Sequence, residues 1–239
     1  YESYRPIGGR RPIVGATMYG TTTPCVDAAR EWLEKAGYEV LVFHANGPGG
    51  RAMEALMKSG HIVAVLDETT TEVMDELAGG TTTAGPERLE MAGDLGLPQV
   101  VSVGAAEQIT FRPPTAVPVE YEHRVSYQHN PAVTLVRAEQ KDMARFGRVF
   151  SEKLSRANGP VAVFVPLRGI SEYSKEGGVF HDPAADEALF ETLRTNLDAN
   201  IELIEMATDI NDPEFAVAMA RKLDAQYRKA TASEEGTNV

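Results

Sequence analysis

Cysteine is nearly missing from this 239-residue chain. Cys25 stands alone, so an internal disulfide framework is excluded and a reducing, cytoplasmic setting is expected. Basic charge is also scarce. There are 23 Lys and Arg against 35 Asp and Glu, a formal net charge of −12. That argues against a nucleic-acid partner, which would need a basic face. No apolar run approaches the roughly 18 residues of a membrane span, and no signal peptide is visible. Metal-ligand spacing is lacking as well: there is no His-x-x-x-His, no Cys-x-x-Cys and no Asp-rich loop. What remains is the balance of a folded protein, 43% hydrophobic and 24% charged.

Three apolar runs near the start each end in small hydroxyl or glycine residues and then turn into a helical pattern. Ile13 to Met18 leads into Gly20-Thr21-Thr22-Thr23-Pro24. Val40 to Phe43 leads into His44-Ala45-Asn46-Gly47-Pro48-Gly49-Gly50-Arg51. Ile62 to Leu66 leads into Asp67-Glu68-Thr69-Thr70-Thr71. In a parallel sheet all three clusters lie at the carboxyl edge, where open α/β sheets bind ligands. Free N–H groups at helix starts, beside hydroxyls, suit a phosphate or carboxylate.

The rest of the chain keeps this rhythm. Helices are predicted over 24–36 with Thr23 as N-cap, 51–59, 71–77, 86–95, 138–156, 183–197 and 213–227, the last capped by Asp212. Strands are predicted over 98–103, 161–165 and 201–206. The expected fold is therefore an open, doubly wound, Rossmann-like parallel sheet with helices on both faces. Residues 105–135, with Pro113, Pro114 and Pro118, interrupt it and read as a long loop or short irregular hairpin. The Pro/Gly-rich residues 1–11 read as a linker from a missing N-terminal domain, 12–228 as a single α/β domain and 229–239 as a disordered tail.

Each candidate group has a functional and a structural reading. The glycines of the 46–51 stretch suit close approach to a ligand, with Asn46, Gly47, Gly49, Gly50 and Arg51 as contacts, or simply a tight turn. Their spacing matches neither a dinucleotide fingerprint nor a P-loop. Thr21, Thr22 and Thr23, and Thr69, Thr70 and Thr71, suit anion contacts or helix caps, and Thr81-Thr82-Thr83 adds to the pattern. Gly104 and Arg168 end two further strands. His44, Asp67 and Glu68 at strand ends, and His129 in the irregular segment, are candidate acid–base residues. Cys25 reads as a packing residue.

The run Arg11 to Val26, with Gly37 to Ala45, Gly49 to Glu54, Asp67 to Glu72, Ala84 to Leu89, Tyr127 to Pro131, Pro166 to Gly169 and Ile210 to Pro213, resembles an uncharacterised protein family. That family includes the tomato mosaic virus resistance protein and is described as carrying an ATP-binding domain of that protein's type. The resemblance implies that the chain corresponds to the C-terminal half of longer members. It also implies nucleotide (ATP) binding, a homodimer and, in the plant member, an inhibitory contact with a viral replication protein. The expectation is a half-domain binding a nucleotide or another phosphorylated or carboxylated metabolite. The alternatives are a metabolic enzyme of hydrolase or lyase type, and a protein-interaction module.

Overall fold

The computed structural model describes residues 11–237, with side chains through 232; the linker expected over 1–11 falls almost wholly outside them. Six parallel strands form the main sheet: β1 Ile13–Met18, β2 Glu39–His44, β3 Ala64–Thr69, β4 Gln99–Gly104, β8 Val161–Pro166 and β9 Glu202–Met206. Their order is β2-β1-β3-β4-β8-β9. The chain reverses direction across the sheet between β1 and β3, which opens a crevice at the carboxyl edge there.

Alternation along the strands explains why the sheet is covered on both faces. Val100, Ala162 and Phe164 pack against α1 (Thr23–Lys35) and α7 (Pro213–Thr237). Their neighbours Val101, Val163 and Val165 pack on the other face against α5 (Gln140–Ser155) and α6 (Pro183–Asn196). The helix α2 (Pro48–Lys58) covers the β1–β3 end with Met53 and Met57. The central strands, buried on both faces, are mostly apolar, which is the pattern the sequence carries.

The differences from expectation have physical causes. β3 runs on through Asp67, Glu68 and Thr69, and all three are buried; polar residues continue this strand because their partners lie inside. α1 is capped at Thr22, not Thr23; the Thr22 hydroxyl makes no cap bond and instead accepts from Tyr19 N. α2 begins at Pro48, three residues early, since proline suits the first helical turn. α3 spans Thr71–Ala78. Of the helix expected over 86–95 only α4, Met91–Asp94, forms, because Leu89 takes a left-handed φ of 82° and breaks it. α7 continues through Thr237, where the polar composition predicts a tail.

Residues 105–135 hold the largest correction. They form neither a loop nor a lone hairpin. With the next two residues they make a three-stranded antiparallel sheet of β5 (Gln108–Phe111), β6 (Ser126–Asn130) and β7 (Val133–Arg137), ordered β5-β7-β6. Ile109, Phe111 and Val136 join the α5–α6 core, so this small sheet stands beside the carboxyl edge of the large one.

Candidate functional site

The carboxyl edge holds two distinct constructions. The first is sealed. Arg88 is 1% exposed and its guanidinium forks onto Asp67, with Nη1 donating to Oδ2 at 2.6 Å and Nη2 to Oδ1 at 2.8 Å. Its Nε donates to Glu72 Oε2 at 2.7 Å. Asp67 Oδ1 also accepts from the Thr17 hydroxyl at 2.7 Å. Glu72 Oε1 accepts from Gly47 N at 2.6 Å and Gly50 N at 3.2 Å. The helix start that the sequence marks for an anion therefore holds one, and it is the chain's own carboxylate. The positive end of α2 and the Arg88 fork together compensate two buried acids.

The glycines serve this arrangement. A Cβ on Gly50 would lie 2.2 Å from Glu72 Oε2, and one on Gly49 would lie 1.9 Å from the His44 carbonyl oxygen. Gly47 has φ 94°, and its Cβ would lie 2.6 Å from the Thr83 carbonyl oxygen. They admit protein backbone and side chains, so the tight-turn reading describes Gly47, Gly49 and Gly50 better than ligand approach does. Gly104 likewise lets β4 meet the Glu68 carbonyl, 2.2 Å from a would-be Cβ. Thr22 and Thr69 bond each other at 2.8 Å, Thr70 donates to Ser102 O and Thr71 to Gln108 O, all of them buried. Asp67 and Glu68 are thus not acid–base groups on an open site. Burial pushes the Glu68 carboxyl well up, with the Cys25 thiol beside it, and burial raises that thiol too.

The second construction is open. A cavity of about 570 Å³ lies between the turns after β1 and β2, the Thr81-Thr82-Thr83 loop after α3, and the small sheet. Tyr19, Gly20, Thr21, His44, Asn46, Pro48 and Arg51 line one side. Thr110, Arg112, His129, Asn130, Val133 and Leu135 line the other. Of the expected contacts, Thr21, Asn46, Arg51, His44 and His129 meet here. Thr23 bonds Tyr19 O outside the cavity, and Arg168 is exposed at the end of β8, away from it. Thr110, Arg112 and the β7 residues carry no sequence signal as a site because their strands lie in the irregular segment, and Tyr19, in the turn after β1, reads as an ordinary aromatic.

The charge of this cavity is unlike that of the chain. Sixteen residues line it, among them two arginines and two histidines and not one Asp or Glu. With 35 acids in 239 residues, about two acids would be expected among 16 (16 × 35/239). Arg51 Nη1 donates to Thr83 O at 3.0 Å, and among the described residues neither Arg51 nor Arg112 is held by a carboxylate. His44 packs edge-on against Tyr19, with ring centroids 5.3 Å apart, and partial burial lowers its basicity although Glu72 opposes this. His129 Nδ1 lies 3.3 Å from the Tyr173 hydroxyl. A larger hollow of about 680 Å³ sits at the opposite edge, by the amino ends of β8 and β9, and contains none of these residues. Among the described residues no group of three or more His, Cys, Asp or Glu side chains is placed to hold a metal ion. No described helix is long and apolar enough to cross a membrane.

Residues 11–227 match the model of the family described as "Uncharacterised protein family (UPF0261) C-terminal domain". The chain belongs to this family. A UPF0261 protein of Clostridium tetani is 50% identical over 91% of this chain and 54% of its own length. One from Rhizobium meliloti is 46% identical over 87% of this chain and 52% of its own. The tomato ToMV resistance protein Tm-1(GCR237) is 42% identical over 86% of this chain and 28% of its own length. The chain thus spans about half the length of the bacterial relatives. Among solved structures, the thioesterase domain from the curacin biosynthetic pathway gives a TM-score of 0.41 at 9% identity, over 92% of this chain and 93% of that one. That likeness is too faint to bear on function.

Proposed function

We propose that this domain binds a small anionic metabolite, a phosphate ester (nucleotides included) or a carboxylate, in the cavity between the carboxyl edge and the small sheet. One observation carries the reading: an acid-free cavity with two arginines lacking carboxylate partners, in a chain of net charge −12. Long-range attraction for anions is unfavourable here, so local donors must supply it. Arg51 and Arg112 offer charge-assisted bonds, Thr21, Thr82 and Thr110 offer hydroxyls, and Val133, Leu135 and Pro48 offer an apolar wall for the ligand's body. A catalytic role, if the ligand reacts, falls to His44 and His129, because Asp67 and Glu68 are sealed.

The test is calorimetric titration of the full chain with ATP, AMP, a sugar phosphate, citrate and sulfate, repeated on Arg51→Gln/Arg112→Gln. Binding of at least one anion that the double variant weakens is the expected result. No heat with any of them, or equal binding by the double variant, overturns the reading.

A further inference from the structure

Behind the cavity wall stands a carboxylate that takes no part in the Arg88 network. Asp75, in the middle of α3, is fully buried. Its Oδ1 accepts from Thr110 N at 2.8 Å; its Oδ2 accepts from Thr82 N at 2.8 Å and from the Thr82 hydroxyl. Both threonines line the cavity. A side chain on Gly80 would collide with Asp75, its Cβ 2.1 Å from Oδ1, so the loop is shaped around this acid. The loop is also sewn to β5, with Thr81 N donating to Thr110 O at 2.7 Å.

The geometry points to Asp75 as a positioning residue that takes up one proton when an anion enters the cavity, through the Thr82 hydroxyl. This rests on the anion-binding reading above. With Asp75 ionised, the Thr82 O–H donates backwards to Oδ2 and presents only lone pairs to the cavity. A proton from solvent added to Oδ2 reverses that bond. The new carboxyl O–H donates to Thr82 Oγ1, and the Thr82 O–H turns outward to donate to the anion. The two backbone N–H groups keep their acceptors, since each carboxyl oxygen retains a lone pair. Removing the negative charge behind the wall favours the anion as well, so hydrogen bonding and Coulomb interaction act in the same direction.

The surroundings allow this. Burial raises the Asp75 carboxyl to about 7 against the pull of the Thr82 and Thr110 bonds. On α3 itself, Glu72 is turned to Arg88 and Glu76 accepts from the Thr83 hydroxyl. From the turn after β1 the Tyr19 phenol, itself raised by burial, touches Thr110 Oγ1 at 3.3 Å. From α2 Arg51 reaches Thr83 O, from α5 Arg145 donates to the Leu77 carbonyl of α3, and His44, His129 and Arg112 line the cavity together with Thr82 and Thr110. If the bound anion raises Asp75 by a further unit, affinity at pH 6 exceeds that at pH 8 by about fivefold.

The experiment follows the Asp75 carboxyl carbon and the Arg51 and Arg112 side-chain N–H resonances by NMR on the full chain. Sulfate is the probe, because it does not titrate between pH 6 and 8, with chloride matching the ionic strength. The expected result is that sulfate shifts the arginine signals and moves the Asp75 midpoint up by about one unit. In Thr82→Val, which keeps the backbone clamp, the arginine signals still move and the Asp75 midpoint moves less than half as far. Asp75→Asn should bind sulfate with a weaker pH dependence than the parent, keeping only the part that the cavity histidines His44 and His129 supply. Arginine shifts with an unmoved Asp75 midpoint, or an equal rise in Thr82→Val, overturn the coupling and leave the anion site standing. Silence of both arginines overturns the anion reading and the coupling together.

Discussion

The Arg88 network and the Arg51–Arg112 cavity sit a few residues apart on the same sheet edge, yet they use the same chemistry in opposite ways. In the network, a guanidinium, a helix start and three glycines enclose two carboxylates of the chain itself. In the cavity, two guanidiniums face space with no carboxylate among the lining residues. One is a closed ion network whose role is to fix the strand ends; the other keeps its donors available. Glycine and arginine at a strand end therefore announce an anion without saying whose. The difference lies in long-range partners: Glu72 reaches back 25 residues to Gly47, whereas among the described residues no carboxylate pairs with Arg112.

The sharpest way to break this comparison is to open the network. Arg88→Ala leaves Asp67 and Glu72 buried with no cation between them, and removing one partner of a buried ion pair costs about 3–5 kcal/mol. Urea denaturation should register that loss at neutral pH. A loss below about 1 kcal/mol would mean that solvent reaches these acids and that the network is not sealed.

How far the sequence reveals each region follows from the same distinction. The six main strands and most helices are legible, because burial on both faces demands apolar residues in short runs separated by helical spacing. The strand-end turns that border the cavity are legible for the same reason. The small sheet is not. All five residues of β6, Ser126–Asn130, are exposed, so no alternation marks them, and prolines surround them. Of the cavity residues this segment carries, only His129 is singled out by the sequence. Arg88 was hidden differently: it lies in a segment whose spacing predicts a helix, but Leu89 beside it has a left-handed φ of 82° and the Arg88 guanidinium is buried on Asp67 and Glu72. Asp67 reads from sequence as a strand-end acid–base candidate, and its partner Arg88 is 21 residues away.

Glycine substitution separates the regions next. Gly50→Ala drives a methyl group to 2.2 Å from Glu72 Oε2 and 2.8 Å from Arg88 Nε. Overpacking of this kind costs about 1–3 kcal/mol, and the same urea titration should show it. A neutral outcome would mean that the carboxylate can swing aside and that the network has slack.

The cavity arginines should behave in reverse. Arg51→Gln and Arg112→Gln remove no buried partner, so stability should change by less than about 0.5 kcal/mol. Each should weaken binding of the anion found by calorimetry by about 10- to 100-fold, as expected for a charge-assisted bond of about 1.5–3 kcal/mol. Loss of stability instead of affinity would place Arg51 and Arg112 with Arg88, as structural cations.

The smallest effect is the finest discriminator. Gly20 lines the cavity, has no heavy atom within 4 Å of a would-be Cβ, and its φ lies outside the left-handed range. Gly20→Ala should therefore leave stability within about 0.5 kcal/mol of the parent, while Gly49→Ala, a methyl 1.9 Å from the His44 carbonyl oxygen, should not. Gly20 borders the cavity with open space around a would-be Cβ, so lengthening the added side chain from Ala to Val should lower affinity before it lowers the unfolding midpoint. Glycine at the first strand end is then dispensable to the fold and limiting for the ligand, whereas glycine at the second is required by the fold. If Gly20→Val instead lowers the unfolding midpoint with affinity unchanged, the turn after β1 belongs to the sealed region and the cavity begins beyond it.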